Sequence, residues 1–86
     1  MFSEKVLAAR LQQARTAKGL SQRQLAFRLG ISPRAVGQFE QGRNAPSLET
    51  LVAIATALDA STDYLLGLSL PDPHVTPEGG ERRNDG

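Results

Sequence analysis

A chain of 86 residues accommodates one small domain, and with no cysteine it offers neither disulfides nor thiolate metal sites, in keeping with a reducing compartment. No apolar run approaches membrane-spanning length and no signal-peptide core opens the chain, so a cytoplasmic protein without a membrane partner is expected. The net charge of +1 conceals a split: through Asn44 eight basic residues oppose two acidic ones, and from Ala45 onward two oppose seven. That places a field of +6 on the first half, suited to a polyanion, against −5 on the second.

So short a chain buries little surface, which favours a compact all-α bundle with few large side chains. Ser3 is positioned to cap a first helix running to about Lys18, with Leu7, Leu11 and Ala14 on one apolar stripe. Arg10, Arg15 and Lys18 fall toward its C-terminal half, where cations suit the helix dipole. Gly19 ends it and Leu20 is a short apolar anchor. Ser21 caps a second helix with Leu25, Ala26 and Leu29 on its inner face, and Gly30 stops it by turning left-handed. Ile31 plugs the bend. Ser32-Pro33 then opens a third helix, proline standing where a missing N–H costs nothing. Val36 and Phe39 form its inner face, and Gly42 is its stop.

Two helices joined this tightly must cross steeply and touch at the corner. Ala26 is small at the closest approach, Gly30 permits the bend and Val36 lies buried beneath it. These three spacings within residues 21–42 are the helix-turn-helix pattern, whose second helix enters the DNA major groove.

The loop Arg43-Asn44-Ala45-Pro46 leads to Ser47, the cap of a fourth helix with Glu49 in its first turn. Leu48, Leu51, Ile54, Ala55 and Leu58 are expected on its inner face. A turn at 59–62, capped by Ser61 or Thr62, leads to a short fifth helix, Tyr64–Leu66, stopped by Gly67. Residues 1–67 thus read as one domain and 68–86 as an extension. From about residue 71 the Pro- and Gly-rich composition predicts a mobile tail.

Enzyme chemistry lacks an inventory. The one histidine, His74, lies in the tail, no carboxylate pair shares a face, and Gly79-Gly80 neither follows a strand nor opens a helix. No catalytic residue, metal, cofactor or small-molecule ligand is expected.

The segments LSQRQLA, LGIS, FEQG, PSLETL and STDYLLG, spread over roughly residues 7–67, resemble the phage-repressor, Cro-type (XRE-like) helix-turn-helix family. The resemblance implies a five-helix, lambda-repressor-like DNA-binding fold, usually dimeric and usually a bacterial or phage transcriptional regulator. In that family the glutamine matched by Gln22 bonds a phosphate and braces a recognition-helix side chain. An amide beside a helix N-terminus also presents donors to an anion. Arg34 and Gln38 occupy base-reading positions of the family. Chemically, arginine reaches guanine O6 and N7, and glutamine brackets adenine N6 and N7. Pro33 departs from the family's usual hydrogen-bonding residue and offers apolar contact, for example to a thymine methyl. The family also pairs the residues matched by Arg15 and Glu40 as a shielded ion pair.

Other positions keep two readings open. Gly37 fits close approach of a base or sugar, or a crowding neighbour helix. Asn44 touches a base edge or is an ordinary turn residue. Arg43 is placed to contact phosphate. Arg23 and Arg28, on the outer face of the second helix, contact phosphate or solubilise. Phe27 lies off the Leu25–Leu29 face and either packs, the favoured reading, or marks a partner surface. Tyr64, Leu65, Leu68 and Leu70 are candidates for a homodimer seam, with core filling the rival role for the first two. The functional expectation is a repressor binding palindromic double-stranded DNA as a dimer. The alternative is an antitoxin-like or bridging protein-interaction module on the same fold.

Overall fold

The computed structural model describes residues 2–68, which form five helices: α1 Glu4–Ala17, α2 Gln22–Leu29, α3 Pro33–Glu40, α4 Leu48–Leu58 and α5 Thr62–Leu66. None is long and apolar enough to cross a membrane. Leu70, His74 and the tail expected from residue 71 lie outside the described residues.

Every helix opens on a serine. The hydroxyls of Ser3, Ser21, Ser32, Ser47 and Ser61 each accept from the backbone N–H three residues on, at 3.0–3.3 Å. Each satisfies one donor that a helix start leaves orphaned. At α2 the cap is reciprocal: the Gln24 side chain accepts from the Ser21 N–H at 2.8 Å. The bend between α2 and α3 follows the sequence expectation. Gly30 is left-handed (φ 70°), and the Ile31 N–H returns to the Ala26 carbonyl at 3.1 Å.

α3 packs against both α1 and α2, α4 against α2 and α5, and α5 closes the bundle on α1. Leu7, Leu11, Ala14, Leu25, Ala26, Val36, Ile54, Leu58, Tyr64 and Leu65 form one buried core, with Leu20, Ile31 and Phe39 packed against it. Five residues are too few for a stable helix alone, so α5 depends on this docking. Tyr64 is buried, its hydroxyl donating to Gln13 Oε1 at 2.8 Å. Arg10 lies over its ring at 4.9 Å and donates to the Tyr64 carbonyl at 2.8 Å.

Five expectations are corrected. Tyr64 and Leu65 are 1% and 0% exposed, so they fill the core and cannot form a dimer seam. α5 begins at Thr62, two residues earlier than expected, because Ser61 is its cap. Arg10 sits mid-helix and serves α5, whereas Arg15 is the basic residue of the last turn of α1. Leu48 is 82% exposed: it continues the stripe of Leu51 and Ile54 one turn beyond the edge of the core. Phe27 is 87% exposed, since α2 buries Leu25 and Ala26 and turns the residue after them to solvent.

Candidate nucleic-acid interface

α3 is seated by Val36, which is fully buried, and by half-buried Phe39. Its opposite side, with the start of α2 and the loop after α3, surrounds an open hollow of about 430 Å³. Gln22, Pro33, Arg34, Gly37, Gln38, Gln41 and Arg43 line it. Arg34 and Arg43 are exposed, and among the described residues neither has an ion-pair partner. Two guanidinium groups at one hollow, with amides between them, present an array of donors to an anionic, hydrogen-bonding ligand.

The amides are not loose. Gln38 Oε1 accepts from Asn44 Nδ2 at 2.7 Å, a bond that the turn through Gly42 makes possible. Gln22 Nε2 donates to Glu40 Oε1 at 2.9 Å. Glu40 also accepts from Arg15 Nε and Nη2, at 2.5 and 3.1 Å, while Arg15 Nη1 donates to the Leu20 carbonyl at 2.7 Å. The Glu40 side chain is 4% exposed and that of Arg15 11%. The expected ion pair is therefore present and shielded. It neutralises the one carboxylate of α3, so the hollow keeps its positive character.

A Cβ on Gly37 would meet only Gln22 Oε1, at 3.8 Å, an ordinary contact. No neighbouring helix crowds it, which removes one of its two readings. Arg23 and Arg28 do not line this hollow. They flank Phe27 in a separate one of about 540 Å³, shared with Leu20, Ser21 and Gln24. A smaller depression lined by Arg23, Ala26, Phe27, Ile31 and Pro33 adjoins it, so Pro33 borders both surfaces. The basic residues of α2 and α3 thus divide between two faces.

Sequence reasoning missed the Asn44–Gln38 bond. An amide six residues beyond another, across a glycine-containing turn, was the available signal.

Comparison with known proteins finds relatives in sequence and in fold. The chain is 44% identical over 66 residues to the SPbeta prophage-derived HTH-type transcriptional regulator YonR of Bacillus subtilis, covering 77% of this chain. It spans 56% of that regulator's length. Among solved structures it resembles the restriction-modification controller protein C.AhdI of Aeromonas hydrophila, with a TM-score of 0.68 and 42% identity. That match covers 72% of this chain and 94% of the other. The P22 c2 repressor in complex with synthetic operator 9T superposes with a TM-score of 0.70 and 32% identity, over 73% and 96% of the two chains. Residues 11–65, the span from mid-α1 to the end of the core, match the helix-turn-helix model HTH_3, and the chain belongs to that family.

Proposed function

We propose that this chain is a transcriptional regulator, acting as a repressor, that binds a palindromic double-stranded operator as a two-fold dimer. The observation that carries this is the convergence at one hollow of Arg34 and Gln38, on a helix whose other side is locked into the core, with Arg43 from the loop that follows it. On this reading residues 1–67 are the DNA-binding unit and α3 enters the major groove. Arg34 and Gln38 read base edges, Pro33 packs on a thymine methyl, and Asn44 acts beside Gln38. Arg43 and the start of α2 at Gln22 hold the phosphates, with Arg23 and Arg28 reaching the backbone farther out. The protein works by binding, not by catalysis, in the cytoplasm of a bacterium.

One unit of this size covers too few base pairs for useful specificity, so two copies would read half-sites about 34 Å apart. With Tyr64 and Leu65 buried, the seam passes to the exposed apolar residues. Phe2, Leu48 and Leu68 are 47%, 82% and 61% exposed and rim a hollow of about 340 Å³ floored by Leu7 and Leu51.

The experiment is selection of bound duplexes from a random pool, followed by affinity measurements on the winner. Arg34→Ala should cost about 1–3 kcal/mol on the selected site and relax one base pair. Arg43→Ala should weaken all duplexes alike and flatten the salt slope by about one unit. Equal loss by both variants on selected and random duplexes refutes base reading by Arg34.

A second reading is a protein-bridging module on the same fold. It is favoured by Phe27, an 87% exposed aromatic between two arginines on a face apart from the α3 hollow. Absence of duplex binding at low salt would select it.

A further inference from the structure

We propose that Gln22 is a specificity-determining residue whose amide oxygen, held beside Gly37, accepts from the exocyclic amino group of a base. It thereby separates adenine or cytosine from guanine or thymine on one strand. The inference rests on the DNA-reading role proposed above for α3. An exposed glutamine amide can ordinarily turn over, exchanging its acceptor, Oε1, for its donor, Nε2. At Gln22 the neighbour forbids this. Nε2 donates to Glu40 Oε1 at 2.9 Å, and a carboxylate has no hydrogen to give, so the reversed amide would set oxygen against oxygen. Nor can Glu40 yield by turning: its side chain is 4% exposed, and Arg15 holds both its oxygens through Nε and Nη2.

The fixed direction matters because of where Oε1 lies. It is the atom that a Cβ on Gly37 would meet, at 3.8 Å, and Gln22, Arg34, Gly37 and Gln38 line the same hollow. Among the described residues no donor reaches Oε1. A base edge that enters over Gly37 therefore meets an acceptor of set direction. In the major groove the donors are the amino groups, N6 of adenine and N4 of cytosine, while guanine shows N7 and O6 and thymine shows O4. An acceptor that cannot turn over bonds the first two and opposes an oxygen in the others. The reading is coarser than naming a base, and it is made from α2 rather than from α3. Nε2 carries a second hydrogen that stays available to a phosphate, so this role adds to the one given above.

The test is duplex selection and affinity measurement with the full chain, comparing wild type with Gln22→Met. Methionine keeps the length of the side chain and removes the amide. Gln22 is exposed and Glu40 keeps both bonds from Arg15, so the variant should fold, as circular dichroism melting checks. At one position the wild type should favour adenine or cytosine on one strand over guanine and thymine by about tenfold. Gln22→Met should reduce that preference to about twofold or less. In a second arm the favoured base is replaced by the same ring without its amino group, purine for adenine or pyrimidin-2-one for cytosine. The wild type should lose about tenfold in affinity on that duplex, and Gln22→Met less than about twofold. The two replacements also tell which amino group is used. Four results overturn the proposal: a Gln22→Met profile identical to wild type, a loss shared by every duplex, a change confined to the base pair that Arg34→Ala relaxes, or equal loss by both proteins on the amino-less duplexes. The second is phosphate contact alone and the third is bracing of Arg34. All four leave base reading by α3 intact, whereas a wild type that selects no sequence brings down that reading as well.

Discussion

Replacing Arg15 by methionine isolates the buried charge of Glu40. The carboxylate is 4% exposed and accepts three hydrogen bonds, two from Arg15 and one from Gln22. Methionine keeps much of the packing volume and removes both charge-assisted bonds, so the Gln22 amide is left as a neutral partner for an anion out of contact with water. Stranding one member of a buried pair costs about 3–5 kcal/mol. Total stabilities are about 5–15 kcal/mol, and in a domain this small each kcal/mol moves Tm by about 4–8 °C, so a fall of about 12–40 °C is expected. Removing both charges with Arg15→Met/Glu40→Leu should recover stability to within about 1 kcal/mol of wild type, or exceed it. The assay is urea unfolding followed by circular dichroism, urea being uncharged, at low and high salt. If Arg15→Met costs under about 1 kcal/mol, or its cost disappears as salt rises, the pair behaves as a solvated surface bridge and the reasoning fails.

Gly37→Ala should stabilise the free protein by about 1 kcal/mol, since the added Cβ meets nothing closer than 3.8 Å, yet weaken operator binding if a base or sugar fills that space. Higher Tm with unchanged affinity would show that no close approach occurs there. Gly67→Ala should be among the costliest single changes, about 3 kcal/mol, because φ is +79° and the new Cβ would lie 2.8 Å from Val6 Cγ1. The companion change Val6→Ala should restore only the steric part, as read by thermal melting. Leu48→Asp should leave Tm within a few degrees while shifting sedimentation from dimer to monomer. An unchanged dimer would remove this face as the seam.

The local devices of this fold are legible in the chain because they are short-range. A serine cap needs only the N–H three residues away, and a left-handed stop needs only glycine, as at Ser32 and Gly30. Leu48 shows where periodicity fails. It shares a stripe with Leu51, but whether that stripe stays covered depends on how far α1 and α5 extend, which no spacing within α4 records. For Phe27 the spacing was right and the residue type misled: it lies off the Leu25–Leu29 face, yet its apolar character argued that it packs. At the hollow, Arg34 and Gln38 stand where helical spacing puts them, away from Val36 and Phe39. The pairing of Arg15 with Glu40, 25 residues apart, came from family resemblance and not from local pattern. Asn44 was legible as a loop residue, while its bond to Gln38 depends on the path of the chain through Gly42.

The closure of α5 on α1 carries a practical meaning. Phe2 and Leu68 rim the same hollow, and Gly67 rests against Val6, so the chain enters and leaves the bundle at neighbouring points. A unit whose two ends adjoin can be spliced into a surface loop of a host protein without prying that loop apart. The α3 hollow should survive such transplantation, because the helices that frame it move as one unit.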